Sequence, residues 1–452
     1  MRRIILITLA LLILLVAGVW IGLNTPGKAT GRHVLVISVD GMGSSYYMDP
    51  PSGLEIPNIR HVMAQGSFAK AVEGVYPTLT YPSHTTMVTG RMPAEHGIYT
   101  NLSSRQAGKN PNDWFWFAKA IRVPALWDEA RAHHLTTASV AWPVTAGVRI
   151  DWDVPEIWNP NKPAASDPLY IARFTKPLVS LEVVLALKLR QPAADDDANR
   201  TRIASEFIAR HHPNLALVHL EDLDAAEHRS GPRSGLSIQA LERDDSHIGE
   251  LLAAVREAGI VSSTDVFVVS DHGFLPVQRD LEPNLLLARA GLLTIDANGD
   301  VTGGKISTVV NEGSFFLYWP QDQDYTAQVD AALKPLHDQG LIYAEFDRQA
   351  LASMGADPEA QLAFEASDGA RFISSAGGPL VAELERPVGD HGYLPTRPGL
   401  QSSFIASGPD IRAGVNLHQI TLTQIAPTLL EALGIHDAKF GDLPPLENIF
   451  KN

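Results

Sequence analysis

Three short runs constrain this chain's fold more than any other feature. His33 to Val39 reads HVLVISV, Leu215 to Leu220 reads LALVHL, and Val266 to Ser270 reads VFVVS. Each is apolar and β-branched on nearly every residue. A strand with one wet face alternates apolar and polar positions. A run without alternation suits a strand buried on both faces of a parallel sheet. Helix-like stretches lie between and around the runs, such as Ala125 to His133, Ile238 to Ala258 and Thr423 to Leu433. Ala138 to Trp142 and Ser403 to Ala406 are weaker strand candidates. This alternation predicts an α/β fold: a mostly parallel sheet sandwiched by helices.

Two regions break the alternation. Asn101 to about Arg200 is rich in Pro, Asn and Trp and ends near the acidic run Asp195-Asp196-Asp197, read as a solvated helix start. From about Gly291 to Arg386, short candidates (SFFLYW, QVDAALKPL, LIYAEF, ARFISS) predict a small α+β insertion. The expected organisation is a targeting segment and linker over residues 1–30, then one large domain over 31–452 with an insertion at about 291–386. A chain of 452 residues is long enough for that.

At the N-terminus, Met1-Arg2-Arg3 precedes an uncharged apolar run from Ile4 to Leu23. The run is about long enough to span a bilayer core. The arginines suit the cytoplasmic side and put the rest of the chain outside. An anchor on the extracytoplasmic face of an inner membrane is expected. A cleaved signal peptide with a periplasmic product is the alternative, disfavoured by the length of the run and the lack of a clear A-x-A site. The absence of cysteine excludes lipoprotein attachment, zinc–thiolate sites, a cysteine nucleophile and disulfides. A net charge of −15 argues against a nucleic-acid-binding face. It leaves open a small anionic substrate held through metal ions.

Each strong strand runs into acid: Asp40-Gly41, then Glu221-Asp222-Leu223-Asp224, then Asp271-His272-Gly273. In open α/β sheets, ligands bind beyond the carboxyl ends of the strands. One such Asp is ordinarily a turn former or cap. Three brought together would repel without a cation among them. Asp224 and His228 are four apart, on one face of a helical turn, a workable spacing for two ligands of one metal. Asp390-His391-Gly392 repeats the Asp-His-Gly pattern late in the chain.

The segment from Tyr76 to Ile98 (YPTLTYPSHTTMVTGRMPAEHGI) carries the hydroxyls. Pro82 suits the first turn of a helix that runs to Gly90. Thr80 then precedes the helix, either as its N-cap or as a nucleophile at a site that already favours anions. A metal-bound hydroxyl there would be acidic enough to attack phosphorus. Thr78, Ser83 and Thr85 are rivals that spacing does not eliminate.

These residues resemble the nucleotide pyrophosphatase/phosphodiesterase family of the alkaline phosphatase superfamily. The likeness is ordered: VDGM at Asp40, Tyr76 to Asn101, Leu126 to Val144, DLDAAEHRSGP from Asp222, SDHG from Ser270, GDHGY from Gly389 and TQIAPTLLEALGI from Thr423. It implies an alkaline-phosphatase-like fold and two zinc ions. Asp40, Thr80, Asp271 and His272 would hold one, and Asp224, His228 and His391 the other. Thr80 falls on the nucleophile position and Asn101 on the oxyanion-binding position. The implied reaction is an in-line double displacement of phosphodiesters or pyrophosphates, in nucleotide-type substrates, through a phosphothreonine. The Asn101 amide and a backbone N–H near Thr80 would steady the nonbridging oxygens.

Tyr81 follows the nucleophile position, where it could stack on a nucleobase or pack in the core. The run Trp114-Phe115-Trp116-Phe117 poses the same choice between pocket and core. His61, His96, His133, His134, His211 and His212 read as structural or exposed. A phosphomonoesterase on the same fold is the first alternative. It needs extra cationic groups, and Arg91 falls at the far end of the Thr80 helix. The second is a metal-stabilised binding protein without catalysis. A sulfatase lacks its C/S-x-P-x-R motif here, and a phosphoethanolamine transferase would need several membrane spans.

Overall fold

The structure is a computed structural model, and it describes residues 31–103, 114–157, 173–188, 196–436 and 439–451. The three apolar runs form the middle of an eight-stranded sheet. In chain order its strands are β1 (His33–Val39), β2 (Ser67–Glu73), β3 (Thr137–Val140), β4 (Trp152–Val154), β5 (Leu215–Leu220), β6 (Thr264–Val269), β16 (Phe404–Ser407) and β17 (Val415–Thr421). Their spatial order is β17-β2-β16-β6-β1-β5-β3-β4. β16 alone runs against its neighbours β2 and β6, and every other pairing is parallel.

Every residue of β1, β5 and β6 is buried. The reason is visible in β1. Leu35, Ile37 and Val39 enter one core with Phe207, Leu241, Ile248 and Leu251. Val34 and Val36 enter the opposite core with Met87, Leu126, Trp127, Ile425 and Leu429. Burial of each such side chain contributes about 1.5–3 kcal/mol, so both faces need apolar residues. The expected helices appear as Leu126–Ala132, Gly235–Glu257 and Ile425–Ala432. β2 and β17 lacked a strand signal in the sequence because they lie at the sheet margin. β2 alternates buried and partly exposed positions and carries Lys70, and β17 is the outermost strand.

The chain beyond β6 forms smaller sheets. β7 (Leu275–Leu281), β14 (Gly369–Phe372) and β15 (Val381–Asp390) make one, in the order β14-β7-β15. β10 (Ser307–Asn311), β11 (Ser314–Tyr318), β12 (Ile342–Asp347) and β13 (Leu362–Ala366) make another, in the order β10-β11-β13-β12. β8 (Leu293–Ile295) and β9 (Val301–Gly304) form a hairpin. The helix Thr326–Asp338 buries Val329, Leu333 and Leu336 in the core that contains Phe315, Leu317 and Phe364 of the four-stranded sheet.

One expectation changes. The acidic run does start a helix, Asp196–His211, with Asp196 exposed, but Asp197 is buried rather than solvated. Its Oδ2 accepts the backbone N–H groups of Glu221 and Asp222, at 2.7 Å each, and so anchors the chain where it leaves β5. No helix among the described residues is long and apolar enough to cross a membrane. The expected anchor, Ile4 to Leu23, lies outside the described residues.

Candidate active site

The parallel strands bring their acidic exits to one edge of the sheet. Asp40 follows β1, Asp224 sits in the helix Asp222–Ser230 just after β5, and Asp271-His272 follows β6. Asp40, Asp271 and His272 each place a ligand atom within 4.8 Å of the other two, and so do Asp224, His228 and His391. The first trio is buried, whereas Asp224 and His228 of the second are partly open. The rings of His272 and His391 stack at 3.8 Å and join the trios.

The Thr80 hydroxyl lies 3.5 Å from His272 Nε2. Its helix spans Thr80–Thr89, so Thr80 is the first helical residue rather than the cap, and no side chain caps this end. The rival hydroxyls are engaged or enclosed. Thr78 donates to the Tyr393 carbonyl, Thr85 donates to the Tyr81 carbonyl, and Ser83 is fully buried. Beneath Thr80, His84 Nδ1–H donates to the Thr80 carbonyl at 2.9 Å, and burial pushes this ring down to about 3. His391 Nδ1–H donates to the Thr78 carbonyl at 2.8 Å, which fixes the tautomer and leaves Nε2 with a lone pair that could meet a metal.

The electrostatics of the trios point to a cation. Burial, then the charges of Asp271 and Asp224, holds Asp40 well above the ordinary carboxylate range. Asp224 is pushed up to about 6, by burial first. Burial holds His272 and His391 well below the ordinary imidazole range, in the neutral form that binds metals. Asp40 Oδ1, Asp271 Oδ2 and Asp224 Oδ1 are buried oxygens without a hydrogen-bond partner. Orphaned carboxylate oxygens are costly in an apolar surround unless a cation meets them. The donor set, three carboxylates and three imidazoles, fits a divalent metal of the zinc kind.

Two expectations about the substrate side need revision. Tyr81 is fully buried, donates its hydroxyl to Glu156 Oε1 at 2.7 Å and packs against Trp114, so it is a core residue with no face left for a base. The backbone N–H of Tyr81 donates to Asn101 Oδ1 at 3.0 Å. That N–H therefore orients the Asn101 amide and leaves its NH2 as the available donor. Of the aromatic run, Trp116 is buried and Phe117 is exposed. Arg91 pairs with Asp442 and Glu95, away from Thr80.

Two neighbours of the trios, His219 and Glu227, had no part in the sequence-based expectations, and a third, Asp390, entered only through its Asp-His-Gly motif. His219, within the apolar run of β5, bridges Asp40 and Glu156 at 3.0 Å each. Its signal was a polar residue in a strand buried throughout. Asp390 Oδ1 lies 3.5 Å from His228 Nδ1, and Asp390 Oδ2 accepts from Arg371 at 2.8 Å. Glu227 is fully buried and accepts from the Tyr46 hydroxyl at 2.7 Å.

A mostly parallel sheet, two carboxylate–histidine trios at its carboxyl edge and a helix-borne threonine beside them define an alkaline-phosphatase-like hydrolase. The chain matches the family described as type I phosphodiesterase / nucleotide pyrophosphatase over residues 34–394, and it belongs to that family. It is an enzyme of the phosphodiesterase/nucleotide pyrophosphatase class. It is 24% identical over 446 residues to bis(5'-adenosyl)-triphosphatase of Bos taurus, covering 94% of this chain and 83% of that protein. It is 27% identical over 260 residues to venom phosphodiesterase 2 of Crotalus adamanteus, covering 55% of this chain and 27% of the other. Human ectonucleotide pyrophosphatase/phosphodiesterase 5 shares the fold at a TM-score of 0.65 and 18% identity, over 93% of this chain and 100% of that one. An inactive variant of its murine counterpart, in complex with AMP, matches at a TM-score of 0.64 and 17% identity, over the same shares of the two chains.

Proposed function

We propose that the chain hydrolyses phosphodiester or pyrophosphate bonds in nucleotide-type substrates through a phosphothreonine on Thr80, with two zinc ions. Asp40, Asp271, His272 and Thr80 would hold one ion, and Asp224, His228 and His391 the other. The observation that carries this reading is the Thr80 hydroxyl beside His272, within a site of three orphaned carboxylate oxygens. Bound metal would supply charge neutralisation and acidify hydroxyl groups near pH 7.

The chain's own residues do the rest. His84 and the helix hold Thr80 at the site through its carbonyl. The Thr80 oxygen attacks phosphorus, the P–O bond to the leaving group breaks in line, and water then cleaves the phosphothreonine to regenerate the hydroxyl. The Asn101 amide, oriented by Tyr81 N–H, donates to a nonbridging oxygen. The AMP complex of the murine neighbour supports a nucleotide-type substrate. Export of the chain fits the venom and ectonucleotide names of its relatives, with the Ile4–Leu23 run as its anchor or signal.

A diester is favoured over a monoester because, among the described residues, the arginine just past the Thr80 helix and those of the Asp390 and His391 region are committed to carboxylates. Arg91 faces Asp442, Arg371 faces Asp280 and Asp390, and Arg397 faces Glu365. The test compares bis-p-nitrophenyl phosphate and p-nitrophenyl nucleotide esters with p-nitrophenyl phosphate, with and without chelator. Diester turnover that the chelator abolishes is expected. Preference for the monoester would overturn the diester reading, and no turnover by zinc-loaded protein would favour a binding protein.

A further inference from the structure

We infer that His219 is a positioning residue for the metal on the Thr80 side, a role that rests on the two-metal reading proposed above. It would cap one oxygen of Asp40 so that the other faces the ion. His219 lies in β5, flanked by apolar residues and fully buried. A leucine or valine would fill this position without two ring nitrogens to satisfy, so a histidine here carries a cost. The surroundings offset that cost in a specific way.

Both ring nitrogens face acceptors. Nε2 lies 3.0 Å from Asp40 Oδ2. Nδ1 lies 3.0 Å from Glu156 Oε2 and 3.1 Å from the Ala141 carbonyl. Ala141 holds a left-handed backbone, φ +55°, as it offers that carbonyl. Glu221 Oε1 is 3.6 Å away, and Arg200 holds that carboxylate by its other oxygen at 2.7 Å. The His84 ring packs across the other side at 4.3 Å.

The consequence falls on Asp40. Its Oδ2 is occupied by His219, while its Oδ1 is buried without a partner and lies 3.4 Å from His272 Nε2. A carboxylate held in this way presents one oxygen in one orientation. The connection extends further. Glu156 takes His219 with one oxygen and the Tyr81 hydroxyl with the other. Asp40 and the residue following Thr80 are thereby joined through two side chains.

The test reads metal binding directly. Metal-free protein is titrated with zinc against a chromophoric chelator, and its folding is checked by circular dichroism. Two ions are expected for the wild type. His391→Ala removes a ligand of the other trio, so the ion it still binds tightly reports the Thr80 side. Adding His219→Leu to His391→Ala should weaken that ion about 10–100-fold, and His219→Gln, which keeps a donor, should restore part of the loss. Glu156→Gln should weaken the same ion to a lesser degree, and it carries the test if His219→Leu does not fold. Binding unchanged in both the His219→Leu and Glu156→Gln proteins overturns the inference while the two-metal reading stands. Equal weakening of both ions by His219→Leu in the otherwise wild-type chain also overturns it. A wild type that binds no zinc overturns the two-metal reading, and this inference with it.

Discussion

Four hydroxyls between Thr78 and Thr85 look alike in the sequence, and hydrogen bonding separates them. Thr78 and Thr85 donate to carbonyls, Ser83 is enclosed, and Thr80 faces His272. Thr80→Ala should therefore lower diester turnover by a factor of roughly 1,000 or more and weaken the ion on its own side, while the ion of the Asp224, His228 and His391 trio still binds. Full activity in that variant would refute the nucleophile assignment. Thr78→Val should act differently. Thr78 Oγ1 also accepts from Gly392 N–H at 3.0 Å, so its loss should loosen the His391 loop and lower stability.

A second prediction at this scale lies away from the site. Asp265, buried at the start of β6, is pushed up to about 7 from 3.8, by burial first and against the hydrogen bond from Asp410 N–H. Its neutral form is the one the fold favours. Its contribution to stability is complete below about pH 4, declines as the pH rises toward 7, and is flat above that. The loss is worth at most ~4 kcal/mol. Asp265→Asn, which keeps the acceptor for Asp410, should melt higher than wild type at pH 8 and converge with it near pH 4. A constant gap across that range would sink the assignment.

At the scale of elements, the two Asp-His-Gly turns have a steric reason for their glycines. A Cβ on Gly273 would sit 2.1 Å from the Gly399 carbonyl oxygen. One on Gly392 would sit 2.0 Å from the Asn311 carbonyl oxygen, at a φ of +81°. Each histidine is thus placed by backbone packed closely against the residue after it. Gly273→Ala and Gly392→Ala should each cost about 1–3 kcal/mol through overpacking and reduce zinc affinity. Gly235→Ala, with open space at a helix start, should be neutral or slightly stabilising. Thermal melts and zinc titrations of the three variants check this. The Thr80 helix shows the limit of periodicity. Every residue after Thr80 is buried, so no exposed face sets a period, and Pro82 and Gly90 rather than periodicity mark the helix in the sequence.

At the scale of the molecule, the metal is expected to be part of the fold as well as the chemistry. Asp40, Asp271 and Asp224 converge from three different strand exits, and His219 on Asp40 relieves only part of their mutual repulsion without a cation. Chelation should abolish turnover and lower the melting temperature together, and added zinc should restore both. An ion at 100 times its dissociation constant adds ~2.7 kcal/mol per site, which calorimetry with and without zinc would resolve. A melting temperature indifferent to chelator would contradict this coupling.

Much of this was legible in the sequence. Runs like HVLVISV can be stable only between two apolar layers, which determined a parallel α/β sheet and put the acids at its edge. The order of Asp40, the Tyr76–Asn101 block, Asp224, Asp271 and His391 determined the family. Tertiary structure alone decided which groups meet. It put Tyr81 in the core, moved Thr80 from the cap into the first turn, buried Asp197 under the exit of β5, and set His219 between Asp40 and Glu156. The physical reason is range. Periodicity and spacing report neighbours along the chain, whereas the His219 bridge joins residues 179 and 63 positions apart, and only the stacking of parallel strands brings them within a hydrogen bond.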